Sequence, residues 1–174
     1  MQIGAPSSWV AQHASLIPVP GPVLDLAAGS GRHTRLFKGL GHRVTAIDRD
    51  ISRLADLAGD PLVEAIAADL EDGSPWPLAE RRFAGIVVTN YLHRPLFPHL
   101  AKALLPGGIL IYATFGLGQE RYGKPRNPDH LLKPGELLAF AETAGLTVRA
   151  YRCGEVAEPE PAVVQRMVAE RPRA

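Results

Sequence analysis

Four short apolar runs, PVLDLAA, HRVTAID, FAGIVVTN and GILIYATF, follow one another along the chain. Runs this short and without polar alternation suit strands buried on both faces, as in parallel sheets covered by helices. Most of the segments between them have helical spacing. After the first run, GSGRHTRLFKGLGH places Leu36, Phe37 and Leu40 on one face, with Gly39 and Gly41 where a helix stops. After the second, Ile51, Leu54 and Leu57 recur at helical spacing up to Gly59. In RPLFPHLAKALL, Leu96, Leu100 and Leu104 form one stripe, Pro95 and Pro98 fit only the first turn, and PGG is the stop. Strand followed by helix, repeated, dictates an α/β sheet.

The other segments complete the pattern. Ser7 to Ser15 reads as a helix ahead of the first strand. LVEAIAAD has helix-favouring Ala and Glu, yet its shortness between Pro61 and an acidic turn suits a strand. EDGSPWPLAERR reads as a loop, ELLAFAETAG as a helix ending at Gly145, LTVRAYRCGEV as a strand, and AVVQRMVAE as a last strand or short helix. A closing strand-strand step makes an antiparallel pair at one edge. The expected architecture is a doubly wound, mostly parallel seven-stranded α/β sheet, Rossmann-like, with an antiparallel strand at the C-terminal end, in one domain over residues 1–174.

Composition narrows the function. The chain has 17 Gly and 16 Pro among 174 residues, which the pattern above explains as punctuation of short elements. With 19 Lys plus Arg against 18 Asp plus Glu, there is no global field to hold a nucleic acid or an anionic membrane. A single cysteine, Cys153, excludes an internal disulfide and a cysteine-cluster zinc site, and no metal is expected. No apolar run approaches the ~20 residues that span a bilayer, and the start lacks a leader pattern, so a cytoplasmic protein is expected.

Ligands of an open α/β sheet sit outside the carboxyl ends of its strands, where strand order reverses. The first such end reads Asp25-Leu26-Ala27-Ala28-Gly29-Ser30-Gly31-Arg32-His33-Thr34. Gly29 and Gly31 permit a tight turn and close approach of a ligand to the backbone. Thr34 stands where the dinucleotide fingerprint has its third glycine, which lowers the case for NAD or FAD. The second strand ends in Asp48, about 20 positions beyond Gly29, where a carboxylate binds ribose hydroxyls. The alternative for Asp48 is a helix cap, a duty better suited to Asp50. The third strand ends in Asp69, placed either to accept from a purine amine or to shape the turn in DLEDG.

VLDLAAGSGRHT, AID with Asp48, AADL with Asp69, VVTN and LLPGGILIYATF together resemble the class I S-adenosylmethionine-dependent methyltransferase family, over about residues 20 to 170. The segments NYLHRPLFPHL, YATFGLGQERYGKPRNP and LLKPGEL look most like small bacterial members related to tellurite-resistance methyltransferases. The resemblance implies that S-adenosylmethionine lies along the strand ends. Gly29 and Gly31 would pass under its methionine part, Asp25 would approach its amino group, and Asp48 would bind the ribose. Asp69 and the Leu70 amide would read the adenine, and Asn90 would face the methionine amine and the methyl group. Ala27 departs from the glycine usual in the family, at little cost if its backbone dihedrals are ordinary.

Methyl transfer from a sulfonium needs alignment, desolvation and, for a protonated nucleophile, a base. His93, with an ordinary pKa of ~6.5, is the first candidate base, flanked by Tyr91; a backbone-bonded histidine at a helix entry is the alternative. His33 and His99 read as structural or surface residues. Arg94, Phe115, Arg121, Tyr122 and Arg126 are candidates for acceptor binding, against the reading of Arg121 to Lys133 as solvated loop charges. Residues 115–136 lack periodicity and are too long for a passive connection, which suggests a mobile lid. The Asn/Asp-Pro-Pro-aromatic pattern that suits a flipped base is absent after the fourth strand, where Asn90-Tyr91-Leu92-His93 stands. The expected acceptor is therefore a small molecule, without nucleic acid or membrane, and the chain a monomer or homodimer. A non-catalytic S-adenosylmethionine-binding sensor or partner subunit is the alternative. An NAD(P)-dependent oxidoreductase is disfavoured by Thr34 and by the lack of a Tyr-x-x-x-Lys pair.

Overall fold

A computed structural model describes residues 2–174. Strands β1 (Val23–Leu26), β2 (Val44–Asp48), β3 (Val63–Ala67), β4 (Phe83–Thr89) and β5 (Leu104–Phe115) run parallel. A terminal hairpin of β6 (Thr147–Val156) and β7 (Ala162–Glu170) completes a seven-stranded sheet of order β3-β2-β1-β4-β5-β7-β6. Strand β7 enters between β5 and β6 and is antiparallel to both, so β6 again points with the first five. The segment that sequence left as strand or short helix is thus the one reversed strand. Six apolar residues among its nine bury it between two neighbours.

Alternation along each strand divides the core between the two faces. Helices α1 (Ser8–His13) and α2 (Arg32–Gly39) cover one face. There Val10, Ile17 and Phe37 meet Val23, Val87, Ile111 and Val168. Helices α3 (Phe97–Ala103) and α4 (Glu136–Ala144) cover the other. Their Leu100, Leu137 and Phe140 pack on Leu24, Leu26, Ile86, Leu110 and Met167. Each such large side chain, when fully buried, contributes roughly 1.5–3 kcal/mol.

Three boundaries differ from the sequence reading. Ile51 to Gly59 is a 3-10 turn over Ser52–Leu57, because Leu54 and Leu57 alone are buried on it. The stripe through Leu104 ends one residue early: α3 stops at Ala103, and Leu104 already pairs with Phe83 in β5. Pro106-Gly107-Gly108 lies inside β5, where the Gly107 N–H donates to Arg171 and the Arg171 N–H to Gly108.

The stretch 115–136 is stitched down more than a mobile lid would be. Gly116 bridges Leu132, the Leu117 N–H donates to the Leu132 carbonyl, and the Leu132 N–H donates to Phe115. Buried Gln119 accepts the Val163 N–H at 2.8 Å, and Leu131 and Leu132 are sealed in the core.

Candidate functional site

Strand order reverses at β1, which has β2 on one side and β4 on the other, so the turn after β1 opens the crevice of the sheet. The turn is held by the Ala28 N–H to Ile47 (3.0 Å) and the Gly31 N–H to Ala28 (2.8 Å). Gly29 adopts φ 55°, and a Cβ there would meet open space, leaving its backbone accessible to a ligand. A Cβ on Gly31, at φ 76°, would lie 2.3 Å from a methyl of buried Leu54 in the Ser52–Leu57 turn, so that turn packs against the start of α2 this closely only on glycine.

Ala27 does not have ordinary dihedrals. Its φ is 54°, and Asn90 at the end of β4 has φ 52°; these are the only positive-φ residues other than glycine among the described residues. Asparagine tolerates this conformation, whereas alanine loses about 1–2 kcal/mol there. Both strained residues therefore flank the crevice, where such strain concentrates.

Asp25 lies beneath the turn, 2% exposed, and accepts the Thr34 hydroxyl at 2.7 Å. Burial pushes its carboxyl up to about 6, partly offset by hydrogen bonds from Thr34 and by Arg32. Asp25 thus braces the turn from below. Beside it, buried His33 accepts the Ser7 N–H at 3.0 Å through Nε2 and faces the Thr89 hydroxyl at 3.4 Å. Burial, with Arg32 adding to it, lowers the His33 pKa to about 4, so it is neutral and ties the N-terminal segment over the site.

Asp48 accepts the Gly29 N–H at 2.8 Å and the Asp50 N–H at 3.0 Å, one on each oxygen. Asp50 takes the capping duty expected of it, accepting the Ser52 N–H at 2.9 Å. A cleft of about 230 Å³ is lined by Ala27, Asp48, Asp69, Leu70 and Tyr91. One oxygen of Asp69 accepts the Glu71 N–H, which fixes the turn and leaves the other oxygen to the cleft. Through Asp69 and Leu70 this cleft continues into one of about 370 Å³, walled by Trp76, Leu96, His93 and His99. The Trp76 and His99 rings stack 5.4 Å apart.

On the other side of Asn90 lies a larger cavity of about 610 Å³. It spans the ends of β4 and β5, the N-terminal segment and the β6–β7 turn, and includes Arg32, Thr89, Phe115 and Arg166. A shallower groove joins Asn90 and Tyr91 to Arg126 and His130.

The structure thus brings Ala27, Asp48, Asp69 and Leu70 to one cleft, with Gly29 bonded to Asp48 beside it; Asn90 and Arg126 line the groove that shares Tyr91 with this cleft, and Asn90 and Phe115 line the larger cavity. It separates others. His93 sits on the Trp76 side, its Nδ1 3.5 Å from Glu71, and lines none of the space next to Asn90 and Phe115. The Tyr91 hydroxyl donates to Glu71 at 3.3 Å; burial and then Glu71 hold its pKa far above the ordinary tyrosine value, so it stays protonated. Arg94 is consumed as a strut: it donates to the Asp129 and Leu131 carbonyls and to both oxygens of Glu136. Arg121 pairs with Glu155 at 2.7 Å and lies over the Tyr122 ring, on the surface away from the crevice.

Sequence reasoning missed the N-terminal residues Ala5 to Ser8, Trp76, Thr89 and Arg166. Trp76 stood inside a segment read as loop, and Arg166 on a strand of undecided type. Neither carries a local motif; only the reversed insertion of β7 brings Arg166 beside β5.

No protein-family model matches the sequence. A demethylmenaquinone methyltransferase of Clavibacter sepedonicus is 30% identical over 126 residues, 66% of this chain and 50% of that protein. A malonyl-[acyl-carrier protein] O-methyltransferase of Pseudescherichia vulneris is 30% identical over 142 residues, 76% of this chain and 55% of that protein. The chain therefore spans about half the length of the curated relatives it matches. Among solved structures, TehB from Haemophilus influenzae superposes with TM-score 0.75 over 97% of this chain and 63% of its own, at 18% identity. The 1,6-didemethyltoxoflavin-N1-methyltransferase of Burkholderia thailandensis, solved with 1,6-didemethyltoxoflavin and S-adenosylhomocysteine, gives TM-score 0.70 over 94% of this chain and 76% of its own, at 24% identity. Taken with the strand order and the turn after β1, these likenesses show that the chain belongs to the class I S-adenosylmethionine-dependent methyltransferase family.

Proposed function

We propose that this chain transfers a methyl group from S-adenosylmethionine to a small-molecule acceptor. The observation that carries the reading is Asp48, fixed by the Gly29 N–H at the switch point of the sheet and sharing a cleft with Asp69. The residues fit the cofactor: carboxylates with unused lone pairs at two strand ends, an open glycine between them, and an apolar slot at Leu70, Trp76 and Leu96. Asp48 would hold the ribose, Asp69 and the Leu70 amide the adenine, and Gly29, Gly31 and Asn90 the methionine part. Asp25 would act from below through the turn.

Bound S-adenosylmethionine supplies a methyl group on a sulfonium, with a neutral thioether as the leaving group. The chain then has to orient the acceptor and exclude water, and no acid is required. Tyr91 is held protonated and His93 is turned to Glu71, so neither serves as a base beside Asn90. An acceptor whose nucleophilic atom is already unprotonated fits such a site, with Asn90 and Thr89 as orienting groups. The same proposal takes the chain as one domain acting in the cytoplasm as a monomer or homodimer, without nucleic acid or membrane. No helix among the described residues is long and apolar enough to cross a membrane.

Calorimetric titration with S-adenosylmethionine and NADH, using Asp48→Ala as a control, tests the cofactor; selectivity for NADH would overturn the reading. Labelled S-adenosylmethionine with small thiols, amines, phenols and acids tests transfer. Tight binding with no transfer to any of them would favour a sensor.

A further inference from the structure

Arg166 is a cation without a partner among the described residues, in the cavity of about 610 Å³ at the ends of β4 and β5. It is half-buried on β7, and its guanidinium makes no hydrogen bond or ion pair with any described residue. Burial lowers its pKa, and its cross-strand neighbour Arg152 lowers it further; no carboxylate works in the other direction. Glu158 and Glu160 line the same cavity but are exposed on the β6–β7 turn, and neither forms an ion pair with it. A half-buried guanidinium left unpaired is costly, and a bound anion removes that cost.

Register places this cation relative to Asn90, beside which the proposed reading puts the methyl group. Thr89 of β4 pairs with Ala113 of β5, and Ala113 pairs with Arg166 of β7, so the three side chains stand in one row on the same face. Ala113 is the small residue in the middle, and the space above it separates Arg166 from Thr89 and Asn90 by two strand spacings, roughly 10 Å. Arg32, whose Nη1 donates to the Ala5 carbonyl and whose charge is felt by buried Asp25 without a direct ion pair, adds a second positive charge to the cavity. The rest of the lining is largely apolar: Phe115, Val156, Pro159 and Val164. A volume of about 610 Å³ is in the range of organic ligands, well beyond an inorganic oxyanion.

We propose that the acceptor is a small organic acid whose carboxylate is anchored by Arg166, with Arg32 as the second cation, and whose body lies over Ala113 so that its nucleophilic atom reaches Asn90. This rests on the methyltransferase reading and names the substrate class of that site. A single anchor two strands from Asn90 would fix the distance between the anion and the methylated atom. The acceptor would then be selected by length as well as by charge.

The test is calorimetric titration with 4-hydroxybenzoate, phenylacetate and hexanoate, and with their three amides, in the presence and absence of S-adenosylhomocysteine. The carboxylates are expected to bind about tenfold or more tightly than the amides. Arg166→Gln should abolish that preference, Arg166→Lys should retain part of it, and both should keep the wild-type affinity for S-adenosylhomocysteine. Equal affinity for acid and amide, binding of inorganic selenite alone, or an unchanged preference in Arg166→Gln would overturn the anchor. Failure to bind S-adenosylhomocysteine would overturn the methyltransferase reading instead, while the acid-to-amide ratio of the free protein still decides the anchor.

Discussion

One carboxylate oxygen of Asp48 accepts the Gly29 N–H at 2.8 Å, tying the end of β2 to the turn after β1. Asp48 therefore shapes the turn after β1, and in the proposed reading it also holds the ribose of the cofactor. Removing it in Asp48→Ala loses charge-assisted hydrogen bonds of about 1.5–3 kcal/mol each, or roughly 10–100-fold in S-adenosylmethionine affinity. Asp48→Asn can still accept from Gly29, but its amide nitrogen then opposes the Asp50 N–H, so an intermediate loss is expected. Calorimetric titration of the two variants checks the order, and an unchanged affinity in Asp48→Ala would refute the ribose assignment.

Ala27 holds φ 54° immediately before this turn. Glycine relieves the Cβ clash, worth about 1–2 kcal/mol, while adding unfolded-chain entropy of about 0.5–1 kcal/mol. Ala27→Gly should therefore stabilise by about 0.5–1 kcal/mol, raising Tm by a few degrees in thermal denaturation. Ala27→Val should lower Tm, since a β-branched residue is still more strained there.

The sheet was legible because its signal is local: apolar runs such as GIVV and ILIYA state burial on two faces, and Gly145 states a helix end. The turn and carboxylates proposed for the cofactor were legible for the same reason, because Gly29, Asp48 and Asp69 each sit directly at a strand end. The residues proposed for the acceptor were not. Arg94 and Arg121 look alike in sequence, yet Glu136 and Glu155, 42 and 34 positions away, take them out of the site. Arg166 enters it only because β7 inserts in reverse beside β5. Partners that far apart leave no trace in spacing.

The Arg94 strut gives a further prediction. Burial works against the Glu136 carboxylate, but Arg94 and the Lys133 N–H more than offset it and hold its pKa below the ordinary value. Arg94→Gln leaves that half-buried carboxylate and the Leu131 carbonyl short of donors, at a cost of about 1–3 kcal/mol. The loss should appear as a lower Tm and as faster amide hydrogen exchange around Leu117 and Leu132. Affinity for S-adenosylmethionine should stay at the wild-type value, whereas direct acceptor binding by Arg94 would show as a change in acceptor affinity with no change in exchange.

Asp25 and His33 make opposite demands on pH. Asp25 titrates near 6 when folded, against 3.8 for the free side chain, so its contribution to stability is fully present below pH 3.8 and lost as pH rises through 6. His33 titrates near 4 when folded, against 6.5 when free, so its contribution is present above pH 6.5 and lost as pH falls through 4. The two slopes cover nearly the same interval with opposite sign. The wild-type protein should consequently show little change in unfolding free energy from these groups between pH 4 and 6.5. Single substitutions should unmask them: Asp25→Asn should lose stability on acidification, and His33→Gln should gain it. Urea denaturation at half-unit pH steps measures both slopes, and parallel pH profiles for wild type and the two variants would show that burial does not set these pKa values.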